Sequence, residues 1–174
     1  QGASARYIGI TSTTPEFPKV KELFEEIKKA QPDAVTVAGG PHFSAVPECC
    51  NGEYDAIDHI VVGEGEKAFL RIVSGAAREK IVEVVNEDPL DDLPLPARHL
   101  VNYNDYQFPT PGKGLVRMDT ILTSRGCPFS CLFCFNRNTK VRYRDVKKCA
   151  DEILLSHEKY KTKFFMFLDD TLTI

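Results

Sequence analysis

Three of the chain's six cysteines fall within eight positions, in the stretch TSRGCPFSCLFCFN at residues 123–136. Cys127, Cys131 and Cys134 are spaced CxxxCxxC and interleaved with Phe129, Phe133 and Phe135. Clustered thiolates are soft metal ligands, and in a reducing compartment they favour a metal over disulfides. A structural zinc site takes four ligands in a tetrahedron, commonly as two CxxC-type pairs. No fourth Cys or His stands at a fitting distance, since Cys149 falls on the face of an expected helix and His157 two turns beyond it. Three thiolates suit a [4Fe–4S] cluster better, because such a cluster takes one thiolate per iron and three ligands leave the fourth iron open to substrate. Gly126 and Pro128 permit a tight wrap, and the phenylalanines offer a dry shell that helps set a cluster's potential. A non-catalytic metal-binding module is the competing reading of the same residues. The other three cysteines, Cys49, Cys50 and Cys149, read as small buried thiols.

Elements that could position this loop are legible on either side of it. MDTILTSRG reads as a strand leading straight into the cysteines. After them DVKKCADEILLSHEKY reads as a helix with Asp145 as N-cap and Val146, Cys149, Ala150, Ile153, Leu154 and Tyr160 on one face. KFFMFLDD follows as an almost wholly apolar strand at 164–168 ending in two acids, and such a strand needs neighbours on both edges and cover on both faces. In the front part, RYIGI reads as a short buried strand. PKVKELFEEIKKA reads as an amphipathic helix with Val20, Leu23, Phe24 and Ile27 inward and Pro18 at its start. DAVTVAGG and AIDHIVVGEGE read as further strands, the latter running into an EKAFLRIVSG helix ended by Gly75. Strands alternating with helices imply parallel pairing, so the fold class is α/β. Five of the eleven prolines fall between 86 and 112, which reads as an extended connector.

The glycines after two of the front strands, Gly39 with Gly40 and Gly63 with Gly65, stand where open α/β sheets bind ligands. Gly63, Gly65 and Ala68 imitate a dinucleotide fingerprint, but Glu64 and Glu66 would repel a pyrophosphate. His42 and His59 read as satisfied structural histidines.

CxxxCxxC with an aromatic, Phe133, before its last cysteine, at the end of a first β/α strand, resembles the radical S-adenosylmethionine superfamily. The longer string ILTSRGCPFSCLFCFN, followed by VRYRDV and FLDDTLT, is similar to the branch that carries a cobalamin-binding domain in front of the radical domain. The resemblance implies that Cys127, Cys131 and Cys134 ligate three irons and that the amino and carboxylate groups of S-adenosylmethionine chelate the fourth. It implies reductive cleavage of the sulfonium to a 5′-deoxyadenosyl radical, often with methyl transfer through cobalamin. It implies also a small-molecule substrate and a flavodoxin- or ferredoxin-like electron donor. Asp169 and Asp170, at the end of the second barrel strand, are expected near the amino group of S-adenosylmethionine; Tyr143 and Arg144 resemble a recurring family element. The cobalamin site would be the loop at Thr11 and Ser12, the turn at Gly39 and Gly40, and Gly63, Glu64, Gly65 and Glu66. DDLPLPARHL looks like the linker between the two family domains.

The implied organisation is the C-terminal half of a Rossmann-like cobalamin-binding domain at 1–85, a Pro-rich linker at 86–115, and the first elements of a TIM-type β/α barrel at 116–174. No DxHxxG loop for the lower corrin face precedes Arg6, and a full barrel takes at least ~200 residues. The sequence therefore reads as an internal stretch of a longer protein. Alone it is not expected to catalyse, and strand 164–168 is expected to pair with another copy or aggregate. A cobalamin-independent radical enzyme such as a methylthiotransferase is a second enzyme reading, although its front domain would supply three further cysteines where only Cys49 and Cys50 stand.

Bulk properties narrow the field further. The 174 residues are 43% hydrophobic and 27% charged, as in a globular protein. A net charge of −3 without a Lys/Arg block argues against nucleic acid. No apolar run approaches the ~18 residues of a membrane span. QGASARYIGI lacks the features of a secretion signal, so the cytoplasm is the expected location.

Overall fold

A computed structural model describes residues 5–50, 55–85 and 88–174, the side chains of Cys49 and Cys50 excepted. The chain divides into two compact units, Gln1–Glu87 and Asp88–Ile174. Among the described residues no helix is long and apolar enough to cross a membrane.

In the first unit the order is β1 (Tyr7–Thr11), α1 (Phe17–Ala30), β2 (Val35–Gly39), α2 (Pro41–Ala45), β3 (His59–Val62), α3 (Gly65–Val73) and β4 (Ile81–Glu83). The strands form one sheet in the order β1-β2-β3-β4, every pair parallel. Successive side chains of a strand point to opposite faces, and here each face has its own core. Ala38 and Ile60 join Val20, Phe24, Phe43 and Ile57 on one side, while Val37 and Val61 join Ala68, Ile72, Ala77 and Val82 on the other. This is why VTVA and HIVV read as continuous apolar runs. RYIGI, expected as buried, is instead half-exposed at the sheet's edge. On α1 Val20 and Phe24 are buried and Ile27 packs against them, but Leu23 faces solvent. The sequence gives no periodic signal for α2 or β4, of five and three residues, because both are shorter than the period that would reveal them.

The second unit contains β5 (Gln107–Thr110), β6 (Gly114–Ile121), β7 (Ser124–Arg125), β8 (Arg142–Tyr143), α4 (Val146–Tyr160) and β9 (Phe164–Phe167). β5 and β6 form an antiparallel hairpin, and α4 carries the chain from β6 to β9, which pairs with β6 in parallel. The stretch expected as an extended connector thus holds ordered structure. Leu90 and Arg98 are buried, and Pro109 sits in the edge strand β5, where a missing amide costs no ladder bond. Short elements and three-residue helical turns leave no periodicity to read there.

The face of α4 also differs from expectation. Asp145 caps the helix as expected, accepting from the Lys148 amide at 3.0 Å. Its buried residues, however, are Cys149, Glu152 and Ser156, while Val146, Ala150 and Leu154 face solvent. A charge network draws the polar side inward. Arg98 donates to Asp119 and Glu152 at 2.6 Å each, and Ser156 donates to Asp119 at 2.6 Å. Arg144 stands 2.6 Å from the second oxygen of Glu152, an ion pair without hydrogen-bond alignment. Buried charges are tolerated only when paired in this way.

Candidate functional site

The cysteines lie on a loop pinned at its neck. β7 and β8 pair antiparallel, Ser124 opposite Tyr143 and Arg125 opposite Arg142, so residues 126–141 are held between them. Gly126 has φ +97°, and a Cβ there would collide with the Lys140 carbonyl oxygen; only glycine lets the two ends approach so closely. Inside the neck the Cys127 amide donates to the Thr139 hydroxyl at 2.8 Å, and the Thr139 amide returns a bond to the Cys127 carbonyl at 2.9 Å. A turn closes Cys131 to Cys134 through a 3.1 Å bond. Below the neck, the Arg144 amide donates to Thr123 O at 2.8 Å and its guanidinium to Leu122 O at 3.0 Å, which ties the loop's base to the Glu152 network. Arg144 is therefore an ion-paired residue, and Tyr143 is exposed.

Three consecutive residues after β9 reach the same loop. Asp169 accepts from the Thr123 amide at 3.0 Å, from the Thr123 hydroxyl at 2.7 Å and from the Ser124 hydroxyl at 2.6 Å. Burial would push its carboxyl up, but these hydrogen bonds, Ser124 foremost, outweigh it and hold the group below the ordinary carboxylate range. Asp170 accepts from Asn136 Nδ2 at 2.9 Å, and Thr171 Oγ1 lies 3.6 Å from Cys127 Sγ.

All three loop cysteines are free thiols, Cys131 exposed and the other two half-buried. Among the described residues no three His, Cys, Asp or Glu side chains converge as a ligand set, so the thiols share one loop without being drawn to one point. The chemistry of the donors fits an iron–sulfur cluster: three soft thiolates, one for each of three irons, on a surface turn with a fixed neck. The expected dry shell is not closed around them. Phe129, Phe133 and Phe135 are exposed, Phe133 by 94%.

In the first unit the expected cofactor residues stand at the carboxyl ends of β1, β2 and β3, along one edge of the sheet. Thr11 pairs with Gly39 in register, and the Ser12 amide donates to Gly39 O at 3.0 Å. Ser12 is buried. Gly40 has φ +93°, and a Cβ on it would collide with Thr11 Oγ1, so Thr11, Ser12, Gly39 and Gly40 form one close-packed turn. Gly63, with φ +79°, donates its amide to Ser44 Oγ at 3.0 Å, Glu64 precedes α3, and Gly65 and Glu66 open that helix. Above Gly63 and Gly65 there is open space. His42 and His59 have structural partners: His42 meets Thr14 Oγ1 at 3.2 Å and stacks on Phe17, and His59 meets Glu79 O at 2.8 Å.

Reading the sequence missed Thr139, Thr171, Arg98, Asp119 and Glu152. Each acts through a partner at least 12 positions away, and no local pattern marks such a pair.

Residues 1–73 match the model of the B12 binding domain family. An uncharacterized methyltransferase of Pyrococcus horikoshii is 30% identical over 96% of this chain and 40% of its own length. An anaerobic magnesium-protoporphyrin IX monomethyl ester cyclase of Rubrivivax gelatinosus is 30% identical over 96% of this chain and 34% of its own length. A cobalamin-dependent radical SAM methyltransferase of Streptomyces tokunonensis is 27% identical over 68% of this chain and 20% of its own length. The chain thus spans well under half of each of these curated relatives. With a B12-binding match in front and likeness that runs on through the cysteine loop, the chain is a sequence relative of the B12-binding branch of the radical S-adenosylmethionine proteins.

Proposed function

We propose that this chain carries the corrin-facing rim and the cluster loop of a cobalamin-dependent radical S-adenosylmethionine enzyme that methylates a small-molecule substrate. The observation that supports this most is the presence, in one chain, of a B12-binding match over residues 1–73 and a CxxxCxxC loop pinned behind the carboxyl end of β6. Cys127, Cys131 and Cys134 would hold a [4Fe–4S] cluster, with Phe133 beside them. When bound, the cluster supplies the single electron that breaks a carbon–sulfur bond of S-adenosylmethionine, and cobalamin supplies a carrier for the methyl group. The neck bonds of Thr139 and the Gly126 turn keep the first thiol next to the strand end. Thr11, Ser12, Gly39 and Gly40 would present a tight, small-residue surface to the corrin, and Gly63, Glu64, Gly65 and Glu66 would leave it room. β6, α4 and β9 would be the opening β/α/β unit of a barrel whose working residues gather at the carboxyl ends of its strands. Electrons would come from a flavodoxin- or ferredoxin-like protein.

Anaerobic reconstitution with iron and sulfide tests the cluster. About four irons and four sulfides per chain are expected, lost when Cys131 is replaced by Ala, whereas about one tightly held zinc would overturn the assignment. The rim is tested with hydroxocobalamin. Gly65→Leu fills open space at the start of α3 without touching the fold and should weaken binding; unchanged affinity would remove this edge from the corrin site.

A further inference from the structure

Asp169, Asp170 and Thr171 are consecutive, yet they engage the cysteine loop at three separate places: its leading strand at Thr123 and Ser124, its trailing arm at Asn136, and the sulfur of its first cysteine. Both oxygens of Asp169 accept from Thr123, and one of them also accepts from Ser124, which leaves this carboxylate occupied by the chain's own donors. β9 runs parallel to β6, Ile121 opposite Phe167, and the Leu168 amide donates to Ile121 O at 2.9 Å, so the three residues emerge beside the end of β6, where the loop begins. The Thr171 hydroxyl is the side-chain group seen against Cys127 Sγ, at 3.6 Å, while Cys131 is exposed.

We propose that Asp169-Asp170-Thr171 is a three-point clasp that holds the cysteine loop on the end of β6 and sets the position of Cys127. These are positioning residues: they act on the backbone and side chains of the loop and on the Cys127 thiol. The purpose of the clasp rests on the cluster assignment above; its existence does not.

Two variants test it in the cluster-free chain under anaerobic reducing conditions. Thr171→Val keeps the shape and removes the hydroxyl. Iodoacetamide labelling of Cys127 is expected to change roughly two- to fivefold, the worth of one modest hydrogen bond, slower where the hydroxyl donates to the sulfur and faster where the thiol donates to the hydroxyl, with Cys131 and Cys134 unchanged and Thr171→Ser restoring the original rate. Asp170→Ala, at an exposed position, should speed amide hydrogen exchange across residues 134–139 while leaving α4 unchanged. The clasp is overturned if Thr171→Val leaves the Cys127 rate alone or Ser does not restore it. It is equally overturned if Asp170→Ala weakens S-adenosylmethionine binding to the reconstituted chain with loop exchange unaltered. A wild-type chain that takes up no iron but shows these labelling and exchange changes would refute the cluster and leave the clasp standing.

Discussion

On the two faces of the first unit's sheet lie Phe24, Phe43, Ile57 and Ile60, and Val61, Ala68, Ile72 and Val82; against the second unit's sheet lie Arg98, Glu152, Ser156 and Thr162. Apolar burial is non-directional, so the first unit can be held together by volume and pattern alone. The second unit buries Leu90, Ile121 and Cys149 too, but adds bonds with fixed lengths and directions, and that network extends through Arg144 to the carbonyls of Leu122 and Thr123 at the foot of the cysteine loop. A directional core specifies where a particular loop sits, and it is less forgiving of single changes.

The sharpest way to break this contrast is to remove one member from each core. Phe24→Ala should cost the first unit about 3–5 kcal/mol in a urea titration, through lost burial and a cavity. Arg98→Met should cost the second unit about 3–5 kcal/mol although it adds no cavity, because Asp119 loses its ion-pair partner and keeps the Ser156 hydroxyl, while Glu152 loses one of its two guanidinium partners and keeps Arg144. If Arg98→Met proves nearly neutral, the second core is not held by its charges. Gly40→Ala comes next, at roughly 1–3 kcal/mol, since it combines a strained backbone with a collision at Thr11; thermal melting measures it. Asp145→Ala should cost about 1 kcal/mol by removing the cap of α4.

Burial, and then the charge of Asp119, push the Tyr103 hydroxyl from 10.0 up to about 12. The unfolded chain therefore loses that proton first, and the second unit should lose stability as pH rises from 10 toward 12, followed by tyrosinate absorbance. On the acid side both units respond alike. Against burial, Lys28 and Thr36 hold the Asp58 carboxyl below its usual range, as Ser124 and Thr123 do for Asp169. Stability from each is present above the unfolded carboxylate value and is lost as pH falls through the lowered folded value. The smallest effect separates loop from core: burial raises the Cys149 thiol, so peptide mapping after brief iodoacetamide treatment at neutral pH should find it unmodified while the loop cysteines react.

Much of the first unit was legible because its strands and helices are amphipathic or wholly apolar at their natural periods, as in VTVAG, HIVV and the α1 pair Val20 and Phe24. In the second unit Asp145, the extent of α4 and the burial of Cys149 were legible, but the inward face was misplaced by part of a turn, because a buried Glu152 and Ser156 look like solvent-facing residues until their partners are known. Asp169 was legible as an acid closing an apolar strand, but not as the acceptor of Thr123 and Ser124, about 45 residues back in the chain.

The amino-acid sequence by itself determined that Cys127, Cys131 and Cys134 share one loop, and it determined the glycines whose conformations the turns require. Tertiary structure alone decided which charges are buried together and what grips the cysteine loop. Short-range features are properties of residue type and spacing, whereas an ion pair or a clasp exists only once the backbone has brought distant residues within about 3 Å of each other.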